Sequence, residues 1–259
     1  MSLLRTFRND AAVLGRLLAG MPRGTSHAER LEAFYAPQAE RYDAFRERLL
    51  AGRADLLRKL APAPGAYVVE LGAGTGRNIE YFGDTLRRFA RLDLVDLCPA
   101  LLERARLRLA DQPNVYTVHA DATAYRPAQP VDCVYFSYAL TMIPDWRAAL
   151  QNAIDMLRPG GVLGVVDFQV PAARAGARAA IAGAFWRKWF AHDGVMLNPE
   201  HLHALRVALP RNYSIELDTA VPYLPGLRVP YYLFVGRKPG RVATRSAFPA
   251  ATPRAPLAA

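Results

Sequence analysis

The feature that most limits how this chain can fold is the stretch at residues 68–76, Val-Val-Glu-Leu-Gly-Ala-Gly-Thr-Gly. A β-branched apolar run leads into it, glycines occupy positions 72, 74 and 76, and a helix-like pattern begins at Arg77. Glycine permits positive φ and lets a ligand approach the backbone closely. A helix that starts behind such a turn offers unpaired N–H groups and a partial positive charge. The stretch therefore predicts a strand, a tight turn and a helix N-terminus that bind a nucleoside-bearing small molecule.

The spacing of the glycines separates two classes of cofactor. Dinucleotide-binding turns read G-x-G-x-x-G, whereas this turn reads E-x-G-x-G-x-G from Glu70. The second pattern resembles the first motif of class I S-adenosylmethionine-dependent methyltransferases. Taken alone, the turn also fits a glycine-rich loop without a ligand. The resemblance implies cofactor contacts along this motif, from Glu70, Gly72, Ala73, Gly74, Gly76 and Asn78.

Composition limits the class of protein further. With 259 residues, 52% of them apolar, the chain can bury a large core. It contains no run of about 18 apolar residues, so no membrane span is predicted, and its start lacks the features of a signal peptide. The two cysteines, Cys98 and Cys133, are not expected to form a disulfide, which fits a reducing cytoplasm.

Strand and helix patterns alternate after residue 65, which predicts a parallel sheet with crossover helices. Strands are predicted at 66–71, 91–97, 115–119, 131–137 and 162–168, helices at 77–89, 99–109 and 146–157, and a sharp turn at 157–161. Residues 212–220 and 229–236 are predicted to form an antiparallel pair. The predicted fold class is therefore α/β, a Rossmann-like class I methyltransferase fold. Its seven-stranded sheet is mostly parallel, with helices on both faces and an antiparallel last strand.

Polar residues stand at three predicted strand ends, where this type of fold binds ligands. Asp96 lies 24 residues after Gly72, near the offset at which a carboxylate meets ribose hydroxyls. Asp121 follows the third strand, and by resemblance an acid there takes the adenine amino group. Each alone also fits an ordinary cap or turn, but their order predicts one S-adenosylmethionine site. The other predicted contacts at these strand ends are Leu97, Ala122, Ser137 and Tyr138.

The chain is predicted to have three parts. Residues 1–25 form an amphipathic helix, residues 26–238 the methyltransferase domain with a helical cover at 26–64, and residues 239–259 a disordered basic tail. The helical cover is interrupted near Pro37. In many methyltransferases of this class such a segment lies over the cofactor with a tyrosine near the sulfonium. Tyr35 and Tyr42 are the candidates, because an aromatic face attracts a cation, although packing against the core explains either one equally well.

Most of the net charge of +10 lies at the two ends of the chain. Residues 1–30 hold five arginines against two acids, and residues 237–259 hold five basic residues and no acid. Basic ends favour an anionic surface, either membrane or nucleic acid, although an arginine-rich genome gives the same bias. The apolar spacing at 2–21 fits a helix that lies in a membrane interface. It fits equally a helix packed on its own domain or on a second subunit.

Catalysis by this kind of protein is mainly the alignment of a nucleophile with an activated methyl group. If the nucleophile is an amine, it must first lose a proton, which desolvation or a nearby base can assist. The candidate proton acceptors are Tyr138, His192 and Asp193, and the candidate catalytic residues are Tyr138, Tyr42 and His192. His192, Asp193, His201 and His203 lie within a dozen residues of the sequence, but they lack a recognised ligand spacing, so no metal is predicted.

Four segments of the chain are similar to the diacylglyceryl-homoserine N-methyltransferase family of betaine-lipid synthesis. They are EAFYAPQAERYDAFRERLLAGR (32–53), YALTMIPDWRAALQNAIDMLRPGGVLGVVDF (138–168), FWRKWFAHDGVMLNPEHL (185–202) and PYLPGLRVPYYLFVGRK (222–238). The resemblance implies three methyl transfers from S-adenosylmethionine to the amine of a homoserine lipid, with S-adenosylhomocysteine as the product. It also implies that Arg53 and Arg46 hold a carboxylate of the cofactor or the headgroup.

The resemblance and the charge pattern together predict partners and location. The expected partners are the diacylglyceryl-homoserine lipid, an anionic membrane surface and a homoserine-lipid synthase. The protein is expected in the cytoplasm, attached peripherally to the inner face of the membrane. No nucleic acid is expected, because the fourth strand ends in Ser-Tyr-Ala-Leu and no RNA-binding module is visible. The alternatives are another lipid or quinone methyltransferase, such as one that methylates phosphatidylethanolamine, and a non-catalytic cofactor-binding subunit.

Overall fold

The computed structural model describes residue 24 and residues 26–36, 49–170, 177–192, 194–221 and 227–240. Within 177–192, the described side chains are those at 183, 184 and 186–191. The amphipathic helix predicted within 1–25, the interruption near residue 37 and nearly all of the basic tail lie outside the described residues. Those three features therefore stay predictions.

Seven strands of the described residues form one sheet. In chain order they are β1 Tyr67–Leu71, β2 Arg91–Asp96, β3 Val115–His119, β4 Val131–Ser137, β5 Leu157–Phe168, β6 Asn212–Ala220 and β7 Arg228–Arg237. Their spatial order is β3-β2-β1-β4-β5-β7-β6. Strands β1 to β5 are parallel, and β7 runs antiparallel to both of its neighbours. The predicted α/β class, with its antiparallel end, is confirmed.

Helices cover both faces of this sheet. They are α1 His27–Tyr35, α2 Arg53–Leu60, α3 Pro99–Arg108, α4 Trp146–Met156, α5 Ala177–His192 and α6 Glu200–Ala208, with 3-10 segments at Arg77–Arg88 and Leu140–Met142. One buried cluster packs α1, α2, α3 and α5 against one face, and a second packs α4 and α6 against the other. None of the helices in the described part of the chain is long and apolar enough to cross a membrane.

The strand order places one edge of the sheet to receive a ligand. Strand β1 is buried along its whole length and pairs with β2 on one side and β4 on the other. The chain thus reverses its direction of progress across the sheet between β1 and β4. In open α/β sheets the crevice beyond the carboxyl ends of such strands is the usual ligand site.

Two predicted elements differ from the structure. The helix predicted at 77–89 is a 3-10 segment broken at Gly83, whose φ of 53° and ψ of −138° are not helical. The sharp turn predicted at 157–161 is instead the irregular start of β5, where Leu157 pairs with Val131 before the register shifts. Gly160 has a φ of +79°, so the Pro-Gly-Gly sequence departs from regular strand geometry at this point.

Helix α5 contains aromatic residues next to basic ones, a sequence that fits either a helix in a membrane interface or a helix that covers the core. The side chains of Trp186 and Phe190 are 3% and 5% exposed. The indole N–H of Trp186 donates to the carbonyl of Arg228 at 3.1 Å, while Arg187 and Lys188 are exposed. These contacts favour a helix that covers the core over one that lies in a membrane interface.

Candidate functional site

The turn after β1 depends on its glycines for two different reasons. Gly72, Gly74 and Gly76 all have positive φ, at 74°, 56° and 67°. A Cβ on Gly72 would lie 2.4 Å from the Cβ of Ala139, so this position lets the segment after β4 approach the turn. A Cβ on Gly76 would lie 3.0 Å from Leu94, so that glycine serves packing. Gly74 has only one side chain near its Cβ position, at 3.9 Å, and faces the cavity described below.

Asp96, at the end of β2, ties the glycine turn to the next helix. One carboxylate oxygen accepts the N–H of Gly74 at 2.7 Å, and the other accepts the N–H of Cys98 at 2.8 Å. Burial raises the pKa of Asp96, and the hydrogen bonds from Cys98 and Gly74 oppose that rise. The N–H of Leu97 also bonds to this carboxylate. Because a carboxylate has about four acceptor positions, it can still accept hydrogen bonding from a ligand.

Glu70 stands behind the turn instead of in the cavity. Its carboxylate accepts hydrogen bonds from the Asn78 amide at 2.6 Å and the Tyr135 hydroxyl at 2.8 Å. Complete burial raises its pKa to about 7 in spite of those bonds. Glu70 is not among the residues that line the cavity, whereas Asn78 is. Its contribution to the site is therefore the orientation of Asn78.

Arg53 brings a buried positive charge to the same place. Its side chain is 6% exposed, its Nε donates to the carbonyl of Leu50 at 3.1 Å, and its Nη1 donates to Asn78 at 3.4 Å. Its Nη2 has no hydrogen-bond partner among the described residues. Because a buried donor without a partner is costly and Arg53 lines the cavity, the geometry fits a ligand acceptor such as a carboxylate.

Tyr138 forms a wall of the cavity in a strained conformation. It is a non-glycine residue with a φ of 54°, which costs free energy and is often found at functional sites. Its hydroxyl donates to the carbonyl of Ala51 at 2.7 Å, and its ring lies 4.6 Å from that of Phe168. Burial raises its pKa well above the usual value. A hydroxyl held in this way is poorly suited to accept a proton, so the structure favours a positioning role for Tyr138.

One cavity of about 460 Å³ collects most of the predicted site. Eleven of the predicted cofactor contacts line it: Arg53, Gly72, Ala73, Gly74, Asn78, Asp96, Leu97, Asp121, Ala122, Ser137 and Tyr138. Glu70 and Gly76 stand behind the lining. Ser137 adds a buried hydroxyl with no partner among the described residues. Tyr42, Arg46, Asp193 and the side chain of His192 lie outside the described residues.

Helix α1 covers one side of the cavity and is called its roof below. Tyr35 is the one residue of this helix that the sequence indicated as a candidate. His27 and Leu31 also line the cavity. Burial lowers the pKa of His27 and the nearby Arg30 lowers it further, whereas Asp121 and a hydrogen bond to the Met142 backbone act in the opposite direction. The Ser26–Glu29 capping box marks the start of this helix in the sequence. The direction in which its side chains point depends on tertiary packing.

Two carboxylates that the sequence did not single out hold the walls of the cavity. Glu32 of α1 accepts the thiol of Cys98 at 2.9 Å and the N–H of Ala100 at 3.3 Å, so the roof is fixed to the start of α3. Asp167 accepts the N–H and the hydroxyl of Thr141 at 3.0 and 2.7 Å, and burial raises its pKa to about 6. Asp167 thereby fixes the 3-10 segment Leu140–Met142, which includes Met142 of the cavity lining.

Comparison with known proteins agrees with this geometry. Residues 68–161 match the model of a family described as methyltransferase domain. That region runs from the first strand through the glycine turn, both strand-end acids and α4 to the start of β5. It therefore contains most of the lining of the cavity.

Curated relatives match about half of this chain. The trans-aconitate 2-methyltransferase of Azoarcus sp. (strain BH72) is 35% identical over 119 residues, which is 46% of this chain and 45% of that protein. The ubiquinone/menaquinone biosynthesis C-methyltransferase UbiE of Pseudomonas syringae pv. tomato is 28% identical over 153 residues, 56% of this chain and 60% of that protein. The chain thus spans about half the length of the curated relatives it matches.

Solved structures extend the likeness beyond the central region. The N-methyltransferase NodS of Bradyrhizobium japonicum, in complex with S-adenosylhomocysteine, matches 75% of this chain and 87% of its own, with a TM-score of 0.54 and 20% identity. The phosphoethanolamine N-methyltransferase 2 of Haemonchus contortus matches 84% of this chain and 61% of its own, with a TM-score of 0.64 and 13% identity. Residues 68–161 are therefore similar to the methyltransferase domain family, and the chain has the Rossmann-like α/β fold of these solved methyltransferases.

Proposed function

We propose that the chain is a methyltransferase that uses S-adenosylmethionine. The observation that carries the proposal is the single cavity in which the glycine turn, Asp96, Asp121 and the buried guanidinium of Arg53 meet. The methyltransferase domain and the fold support the same cofactor. Two buried groups without partners among the described residues, Arg53 Nη2 and Ser137 Oγ, are the positions at which a polar ligand would complete the hydrogen bonding.

Each part of the cavity suits one part of this cofactor. Asp96 accepts hydrogen bonds from the ribose diol, Asp121 accepts one from the adenine amino group, and the turn at Gly72 and Gly74 leaves space for the methionine portion. Arg53 pairs with the methionine carboxylate through its free Nη2. The bound cofactor supplies a methyl group on a sulfonium, which is already a good leaving group.

The protein's own contribution to the reaction is alignment. Tyr138 and the segment after β4 form the side of the cavity that would face the methyl acceptor. Tyr138 is held by its hydrogen bond to the carbonyl of Ala51, and the segment is held by the hydrogen bond from Thr141 to Asp167. A strong general base is not required, since burial of an amine already lowers its pKa and favours the neutral nucleophile. Burial of both reactants also excludes water from the methyl group.

The acceptor that we propose is the amine of diacylglyceryl-homoserine, methylated three times to give the trimethylated betaine lipid. The similarity of four segments to the diacylglyceryl-homoserine N-methyltransferase family supports this assignment. Apolar side chains on the roof and the opposite wall of the cavity, among them Leu31, Leu50 and Met142, are compatible with a lipid. We further propose an anionic membrane surface and a homoserine-lipid synthase as partners, with the enzyme at the cytoplasmic face of the membrane.

A quinone methyltransferase is the second candidate, because several curated relatives carry the name UbiE or demethylmenaquinone methyltransferase. Their matches cover 55% and 56% of this chain and 59% and 60% of those proteins. The shared part therefore supports the methyl donor more strongly than the acceptor.

Mass spectrometry of lipids separates the candidates. The chain is expressed in a host that also carries a homoserine-lipid synthase, with the Asp96→Ala variant as the inactive control. The proposal expects homoserine lipids that gain one, two and three methyl groups with the natural chain only. Unchanged homoserine lipids together with newly methylated quinones would favour the second candidate. If only phosphatidylethanolamine gains methyl groups, the betaine-lipid assignment is wrong.

A further inference from the structure

The turn at residues 121–125, which carries the acid predicted to meet adenine, is held from behind by side chains of two other elements. We propose that Asn152 of α4 and Tyr125, anchored on Asp93 of β2, are positioning residues that set how selectively the site recognises adenine. The inference rests on the proposed function, because it assumes that S-adenosylmethionine occupies the cavity.

The turn itself leaves one oxygen of Asp121 available. The Oδ1 atom accepts the N–H of Thr123 at 2.7 Å and its hydroxyl at 2.8 Å. The carbonyl of Asp121 accepts the N–H groups of Ala124 and Tyr125 at 3.0 and 2.8 Å. The Oδ2 atom of Asp121 accepts no hydrogen bond from the described residues, and Asp121 lines the cavity. The placement of that oxygen therefore depends on the placement of the turn.

Asn152 of α4 hydrogen-bonds to the turn from the helix side. It is 3% exposed, and its amide nitrogen donates to the carbonyl of Ala122 at 2.8 Å and to the carbonyl of Tyr125 at 3.0 Å. Its amide oxygen accepts a hydrogen bond from Arg126. Both hydrogens and the oxygen of the amide thus have partners. A carboxylate of the same shape would place an acceptor against two carbonyls.

Tyr125, the last residue of the turn, attaches the turn to the sheet. Its hydroxyl donates to Asp93 at 2.6 Å, and the Asp93 side chain is completely buried in β2. The same carboxylate accepts the hydroxyl of Tyr67 and the Nε of Arg91, the latter at 2.7 Å. Asp93 is therefore fixed by the sheet independently of the turn, and it anchors Tyr125.

These contacts give the turn a defined position at both ends. Asn152 holds its start, at Ala122, and its end, at Tyr125, while Asp93 holds the ring of Tyr125. A site that hydrogen-bonds an amino group rejects a ligand that lacks it only if the acceptor is held in place. Loosening the turn should therefore reduce selectivity for adenine before it affects the transfer of the methyl group.

The test compares two ligands and four variants of the full chain by calorimetry. The ligands are S-adenosylhomocysteine and its deaminated analogue, S-inosylhomocysteine. The Tyr125→Phe variant removes the hydrogen bond to Asp93, and the Asn152→Asp variant removes the hydrogen bonds to the carbonyls of Ala122 and Tyr125. Tyr67→Phe removes a hydroxyl from the same Asp93 carboxylate without touching the turn, and Gln151→Ala changes the exposed neighbour of Asn152.

We expect both test variants to lower the ratio of the two affinities by about fivefold, the effect of one weakened hydrogen bond. The KM for S-adenosylmethionine should rise while kcat changes little, and both control variants should keep the natural ratio. If Asn152→Asp does not fold, Tyr125→Phe decides the matter.

An unchanged ratio in folded Tyr125→Phe, or an equal fall in Tyr67→Phe, would overturn the inference. A natural chain that binds neither ligand would instead contradict the proposed function.

Discussion

Two carboxylates on neighbouring strands, the buried Glu70 of β1 and the half-buried Asp96 of β2, serve the site in different ways. Asp96 lies in the lining of the cavity and holds the turn through the N–H of Gly74. Glu70 lies behind the lining and holds Asn78, which in turn accepts from Arg53. Glu70, the first residue of the glycine motif, therefore affects a ligand only through the side-chain amide of Asn78.

The raised pKa of Glu70 predicts a pH-dependent cost to stability. Its pKa is about 7 in the folded protein and 4.5 in its ordinary range, so the folded state holds the proton more tightly. The contribution of Glu70 to the free energy of unfolding should fall as pH rises from about 4.5 to 7, by about 3 kcal/mol in all. Glu70→Gln should gain stability relative to the natural chain over that interval.

Urea unfolding at pH 5 and pH 8 checks the Glu70 prediction. The exposed Asp111→Asn substitution serves as the control and should leave the pH dependence unchanged. A stability difference between Glu70→Gln and the natural chain that stays constant from pH 5 to pH 8 would refute the prediction.

From the sequence, a site residue could be predicted where its place in the site follows from the fold class. It could not be predicted where that place depends on how helices and strands pack. Asp96 and Asp121 follow strands, and the carboxyl ends of parallel strands meet at one edge, so spacing alone placed them together. Asn152 and Asp93 carry no such signal. Asn152 lies mid-helix and Asp93 mid-strand, and their contacts with the turn exist only once α4 and β2 are packed.

At the scale of elements, α6 depends on a buried histidine. His201 is 1% exposed, both ring nitrogens lack partners among the described residues, and its ring lies 4.5 Å from that of Trp146 in α4. Burial and the charge of Arg147 lower its pKa to about 4. The ring is therefore neutral at pH 7 and packs as an aromatic group between the two helices.

This histidine predicts a loss of stability in mild acid. Its pKa is lower in the folded protein than the ordinary value of 6.5, so the unfolded state binds the proton more readily. The contribution of His201 to the free energy of unfolding should fall by about 2 kcal/mol between pH 7.5 and pH 5. His201→Phe should remove that loss, as urea unfolding at both values would show.

His203→Gln, on the exposed side of the same helix, is the matched control and should behave like the natural chain. If His201→Phe loses as much stability as the natural chain on going from pH 7.5 to pH 5, the ring does not titrate as described.

Element types were easier to predict than their irregularities. The alternation of apolar runs and helical patterns predicted the five parallel strands and the antiparallel pair. The signal is clearest for β1, β2 and β4, because strands buried on both faces are apolar along most of their length. The irregular start of β5 around Gly160 and the break at Gly83 were not predicted. A glycine signals a departure from regular structure, but its φ and ψ depend on the strands and helices around it.

At the scale of the whole molecule, the charge at the two ends is the feature that bears on location. The described core places its buried charges in pairs or hydrogen bonds, whereas the basic residues at 1–23 and 241–259 lie outside it. We expect residues 1–21 to bind anionic vesicles. With about 1 kcal/mol for each of Arg5, Arg8 and Arg16, deleting them should weaken binding at least about a hundredfold.

Flotation with vesicles that contain an anionic lipid tests this expectation. Deletion of residues 241–259 is the comparison, and neutral vesicles are the control for charge. Binding that is unchanged after removal of residues 1–21 would exclude that segment as the membrane contact.

The central claim is that Asp96, Asp121, Arg53 and the glycine turn form one site for S-adenosylmethionine. Calorimetric titration of the natural chain and of Asp96→Ala with S-adenosylmethionine tests it most directly. The account predicts saturable binding at one site, weakened about a hundredfold in Asp96→Ala by the loss of two charge-assisted hydrogen bonds. Absence of binding by the natural chain, or equal affinity in a folded Asp96→Ala variant, would contradict it.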